Sequence, residues 1–117
     1  MRVYFARGIH QYNTPDDNRT VNRLEVLGYK VIDITSEKAQ FGYKTWGMDY
    51  FYRLIEEDCS ILFFQAFPNR RIGAGVAGEI AKAKDLGIPV FEIPIQIEER
   101  TCTVNQTRDM LRLLGVR

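Results

Sequence analysis

With 117 residues, 45% of them hydrophobic, the chain has the material for one globular domain over 1–117 with a single core, and no room for a separate substrate domain. Sixteen Lys and Arg against fifteen Asp and Glu leave a net charge of +1, and no basic block is longer than Arg70-Arg71, which excludes a nucleic-acid polymer and favours a small-molecule partner. The opening "MRVYFARG" is too short and too charged for a signal peptide, and no apolar run nears the roughly twenty residues needed to cross a bilayer, so a soluble cytoplasmic protein with no membrane partner is expected.

In chain order, "RVYFA" (2–6) reads as a strand, followed by a loop over 7–13. Thr14 is placed to cap a helix, with Pro15 at its first position and the acid Asp17 three residues after the cap. Val21, Leu24 and Leu27 form its apolar stripe, and Gly28 ends it. "KVIDI" (30–34) is the second strand, and a loop is expected over 35–47. Met48, Phe51 and Ile55 space the second helix, "SILFFQAF" (60–67) is the third strand, and 68–75 is a further loop. Val76, Ile80 and Ala83 space a third helix closed by Gly87, and "PVFEIPI" (89–95) is the fourth strand. Val104, Thr107, Leu111 and Leu114 mark the last helix, for which Thr103 and Gln106 form a capping box.

The strand segments are mostly continuous in hydrophobicity, the pattern of strands buried on both faces of a parallel sheet. Alternation with helices predicts an α/β fold, a three-layer α/β/α sandwich with a four- to five-stranded parallel sheet of flavodoxin-like or Rossmann-like type. Ligands in such folds sit at the carboxyl ends of the strands, where the strand order reverses. All three expected loops there exceed the usual roughly two to six residues, which points to function rather than linkage.

"GAGVAGE" (73–79) carries a Gly-x-Gly-x-x-Gly spacing followed by a carboxylate. A dinucleotide site would place such glycines directly after the first strand, whereas here "PNRRI" intervenes and only one strand follows. Two readings fit better. One is a flexible turn entering a helix with Glu79 in its first turn, where the helix dipole favours a carboxylate by roughly 0.3–1 kcal/mol. The other adds chemistry: the same dipole keeps Glu79 ionised while Gly73 and Gly75 let a substrate approach, the conditions a carboxylate nucleophile needs. The segment 40–52 concentrates aromatic residues, and Phe41, Tyr43 or Trp46, in the expected loop, are candidates to stack on a flat ring. Cys59 and Cys102 lie far apart without zinc spacing and His10 is the sole histidine, so neither a metal nor a cofactor is implied.

"VYFARGI", "MDYFYRLIEEDCSILFFQAF" and "GAGVAGEIAKAKDLGIPVFEI", in that order, resemble the nucleoside 2-deoxyribosyltransferase-like family, including its relatives that hydrolyse nucleoside monophosphates, over nearly the whole chain. The resemblance implies cleavage or transfer at the N-glycosidic bond of a nucleoside or nucleotide, with Glu79 as nucleophile and Asp49 assisting the leaving base. It further implies a homo-oligomer whose site is completed by a polar residue of a neighbouring subunit, for which Thr103 is the positional match and Asn105 the second choice. The phosphate-binding turn of the monophosphate hydrolases has a serine that is missing from Arg7-Gly8-Ile9-His10; Arg7, Gly8, His10 and Arg19 remain the candidates for that end of a ligand. The reading from another class is a non-catalytic nucleotide-binding or sensor module of the same fold, which needs no acid pair.

Overall fold

In the computed structural model, residues 1–94 and 100–116 are described. The elements are β1 (Arg2–Ala6), a single 3-10 turn (Ile9–Gln11), α1 (Pro15–Val26), β2 (Lys30–Val31), α2 (Glu37–Trp46), α3 (Met48–Asp58), β3 (Ile61–Phe64), α4 (Ala74–Asp85), β4 (Val90–Glu92) and α5 (Val104–Leu113). The four strands form one all-parallel sheet in the order β2-β1-β3-β4, so the fold is the expected α/β sandwich with the strand order reversing between β1 and β3.

Register decides which face each strand residue takes. Val3, Tyr4, Phe5 and Ala6 pair with Ile61, Leu62, Phe63 and Phe64, and Phe63 continues to Phe91. Tyr4, Ala6 and Leu62 therefore share one face, which buries Phe51 and Ile55 of α3 and Val76 and Ala83 of α4 in the main core. Val3 and Phe5 take the opposite face, where α1 contributes the buried Leu24.

Local chemistry sets most boundaries. The Thr14 side chain accepts from the Asp17 N–H at 3.2 Å with Pro15 at the first helical position, and Thr103 and Gln106 close a full capping box on α5. Three expectations are corrected. The segment 35–47 is not a loop, since 37–46 is α2, capped by Ser36 accepting from the Ala39 N–H and ended by Gly47 at φ +62°. Its interior Gly42 permits a close approach, because a Cβ there would overlap the Tyr50 ring of α3. The second strand pairs only over Lys30–Val31, because Asp33 turns the chain by accepting from the Thr35 and Ser36 N–H groups at 3.1 and 3.0 Å. Leu27 is not part of a buried stripe but caps the end of α1 in solvent. Ile95, the last residue of the expected fourth strand, lies outside the described residues. Among the described residues no helix is long and apolar enough to cross a membrane.

Candidate functional site

The β3-to-α4 connection ends at Gly73, the N-cap, so Gly75 and Gly78 lie inside α4 and Glu79 is its sixth residue. This corrects the expectation of a first-turn acid: the end of the helix macrodipole acts over only a turn, and Glu79 is one turn too deep to profit from it. What holds Glu79 is packing. Because α4 follows β3 and packs against both β3 and β1, its inward face meets the sheet where the strand order reverses. There the Tyr4 hydroxyl of β1, fully buried, donates to Glu79 Oε2. Gly78 lets α4 come close to α3, since a Cβ at that position would overlap the Tyr52 hydroxyl.

Glu79 lines a cavity of about 210 Å³ together with Arg7, Gly8, Ile9, Tyr12, Gln40 and Tyr43. Met48, Phe51, Gln65, Phe67, Gly73, Gly75 and Val76 complete the lining. The volume falls below the ~300–1,000 Å³ of sites for drug-sized ligands, which suits a small molecule and not a dinucleotide. Burial pushes the Glu79 carboxyl up to about 7, against the lowering effects of the Tyr4 hydrogen bond and the Arg7 charge. Burial likewise pushes the Tyr12 phenol up to about 12, with the Glu79 charge adding to it, so Tyr12 stays protonated as a hydrogen-bond donor. Tyr4 is raised well above the usual phenol value, first by burial and then by Glu79.

The basic wall of the cavity is already neutralised. Arg7 donates from Nε and Nη2 to the two carboxylate oxygens of Asp17 at 2.7 and 2.9 Å, and from Nη1 to the Phe5 carbonyl at 2.9 Å. Its guanidinium also lies over the Phe5 and Tyr12 rings, 4.5 and 5.1 Å from their centroids. Three of its five N–H donors are thus committed to the protein. Two amides face the cavity differently: Gln40 Nε2 donates to the Ile34 carbonyl at 2.9 Å and Gln65 Nε2 to the Pro94 carbonyl at 3.2 Å. Each is anchored through its nitrogen, which leaves its Oε1 as the acceptor available to a ligand.

Of the residues singled out in the sequence, Arg7, Gly8, Gly73, Gly75, Glu79 and the stacking candidate Tyr43 come together. Others do not. Asp49 is exposed on α3 and outside the cavity lining, while its neighbour Met48 turns into the cavity. Phe41 is exposed, and Trp46 stacks on Tyr50 with ring centroids 6.3 Å apart, outside the cavity lining. His10 packs against Phe67 at 5.3 Å, and Arg19 pairs with Asp16 on the solvent side of α1. Thr103 spends its side chain on capping α5. Tyr4, Tyr12, Gln40, Gln65 and Phe67 join the site without a sequence motif that marks them. Among the described residues no group of three or more His, Cys, Asp or Glu is placed to hold a metal ion.

The fold and site together define a class: a small parallel α/β protein with one buried carboxylate in an aromatic-walled cavity at the reversal of strand order. Comparison of the chain with family models, with characterised proteins and with solved structures finds no match.

Proposed function

We propose that the protein cleaves or transfers at the N-glycosidic bond of a small nucleoside-type ligand, with Glu79 as the nucleophile. The observation that carries this reading is the placement of Glu79: a buried carboxylate held from one side by the Tyr4 hydroxyl, with its cavity side open toward aromatic and amide groups. A Glu79 oxygen bonds to the anomeric carbon as the carbon–nitrogen bond breaks, and that electron pair leaves with the base. A second nucleophile, water or another base, then attacks the same carbon and restores the carboxylate, and the proton it gives up is the one that the departed base takes. The negative charge of Glu79 also offsets the oxocarbenium character that develops between these steps. Tyr12 and the two glutamine Oε1 atoms supply a donor and two acceptors for the edge of the base, and Tyr43, Phe51 and Phe67 supply apolar walls.

The experiment is incubation with a panel of nucleosides and their monophosphates, with base release followed by chromatography. Release is expected from nucleosides in preference to monophosphates, with kcat/KM rising with pH through about 7 as Glu79 loses its proton. A slowly hydrolysed 2-fluoro analogue should leave a glycosyl mass on Glu79, and Glu79→Gln should lower turnover by orders of magnitude. Absence of base release across the panel, with retained ligand binding, would move the protein to the second reading, a nucleotide-sensing module. That reading is favoured by a single observation: Glu79 is the one carboxylate among the described residues lining the cavity.

A further inference from the structure

A glutamine side chain ordinarily reads a ligand without preference, because turning its amide over exchanges the acceptor oxygen for the donor nitrogen. The two amides on the cavity lining have lost that freedom. The sheet runs β2-β1-β3-β4, so its edge strands are β2 and β4, and the chain leaves them toward Ile34 and Pro94. The carbonyls of these two residues accept from Gln40 Nε2 at 2.9 Å and from Gln65 Nε2 at 3.2 Å. A carbonyl can only accept. Turning either amide over would break its anchoring bond and set Oε1 against another acceptor. The constraint is strictest at Gln65, which is 7% exposed and has little water to replace the lost bond.

Gln40 and Gln65 therefore meet a ligand as fixed acceptors, and among the described residues no donor of the chain bonds to either Oε1. The Tyr12 hydroxyl on the same lining stays protonated and supplies a donor. A flat ring against Tyr43, Phe51 and Phe67 offers these groups its edge. An edge that satisfies two acceptor oxygens must carry two hydrogens. Uracil, thymine and hypoxanthine have a single ring N–H there, flanked by carbonyl oxygen, so one amide oxygen would stay unpaired or face another oxygen. Adenine and cytosine carry an amino group, with two hydrogens, beside a bare ring nitrogen that can accept from Tyr12. Guanine carries an amino group beside a ring N–H, with its own carbonyl oxygen for Tyr12.

We propose that the cavity selects nucleosides whose base bears an exocyclic amino group over their oxo counterparts, with Gln40 and Gln65 as the specificity-determining residues. This rests on the nucleoside reading of the cavity and adds the class of base to it. The selectivity comes from the anchors at the two sheet edges, which turn ambivalent amides into acceptors only.

Calorimetric titration of the Glu79→Gln chain, which should bind without turnover, tests the selection. The probes are adenosine and guanosine against inosine, and cytidine against uridine. The tightest ligand of the set should be an amino nucleoside, exceeding the oxo nucleoside of the same ring size by roughly fivefold or more, the effect of leaving a buried acceptor unpaired. Gln65→Met in the same background keeps a similar volume without the acceptor, and it should reduce that margin by weakening the amino member more than the oxo member. Gln40→Met repeats the comparison from a half-buried position on α2, should Gln65→Met fail to keep the wild-type circular dichroism. Inosine or uridine as the tightest ligand, a smaller margin, or a Met variant that weakens both members equally would overturn the assignment of the base and leave the nucleoside reading standing. Binding of none of these nucleosides would overturn both.

Discussion

Replacing Glu79 with Gln should stabilise the protein at alkaline pH while removing its proposed activity. Burial pushes the carboxyl from 4.5 to about 7. That difference is about 2.5 units, and at ~1.36 kcal/mol per unit it corresponds to about 3 kcal/mol between the charged and neutral forms. The sign follows from proton counting. Between 4.5 and 7 the native state keeps a proton that the unfolded chain has lost, so wild-type stability falls as pH rises through this window and is flat on either side of it. The amide has nearly the same shape, can still accept from the Tyr4 hydroxyl, and does not ionise. Urea denaturation should therefore show variant and wild type differing little at pH 4 and diverging between 4.5 and 7. At pH 8 the variant should be ahead by about 3 kcal/mol, or roughly 10 °C in Tm for a chain of this size. A stability difference that does not change with pH, or a variant less stable than wild type at pH 8, would refute the claim that the fold strains against the charge it uses.

Asp17→Asn should cost about 3–5 kcal/mol in urea denaturation, because it leaves the buried Arg7 guanidinium without its bidentate partner. Asp49→Asn should change stability by about 0.5 kcal/mol or less and leave base release within a few-fold of wild type, since its side chain is exposed outside the cavity lining; a loss comparable to that of Glu79→Gln would place Asp49 in the reaction. Gly42→Ala should be destabilising overall, with about 1–3 kcal/mol of overpacking against the Tyr50 ring outweighing the ~1 kcal/mol gained in helix propensity. In a Tyr50→Ala background the same change should become neutral or stabilising, which thermal denaturation of the four proteins would show.

The sequence was most readable where one residue type at one position has one physical role. Thr14 before Pro15, and Thr103 three residues before Gln106, signal helix starts through the backbone N–H groups they satisfy, and both caps form. It was least readable where role depends on register or on a distant partner. The helix α2 was hidden by Gly42 and by the weak helix formers Phe41, Tyr43, Thr45 and Trp46. Its punctuation was nevertheless present in Ser36, Glu37 and Gly47. Tyr4 reads as one more hydrophobic strand residue until register turns it to the α4 side, where its hydroxyl meets Glu79 from 75 residues away. Asp49 follows the same logic in reverse: Met48 points into the cavity, and a rotation of about 100° per residue carries its neighbour out to solvent.

The charge of the cavity, more than its shape, argues for the class of ligand. A 5-phosphate needs an uncompensated cation or a row of free backbone N–H groups, and the basic residue on the lining, Arg7, has given its fork to Asp17 and a further donor to Phe5. Arg19, the other cation in reach of the sequence argument, lies outside the cavity and is paired with Asp16. With Arg7 and Asp17 cancelling, the remaining ionisable charge on the described lining is that of Glu79, which repels a phosphate and attracts a developing cation. Burial outweighs both the Tyr4 hydrogen bond and the Arg7 charge, which lower the Glu79 pKa. A carboxylate left near 7 under these conditions is charged often enough at neutral pH to act as a nucleophile, and it gains most from a ligand that is neutral when it binds and positive only while it reacts.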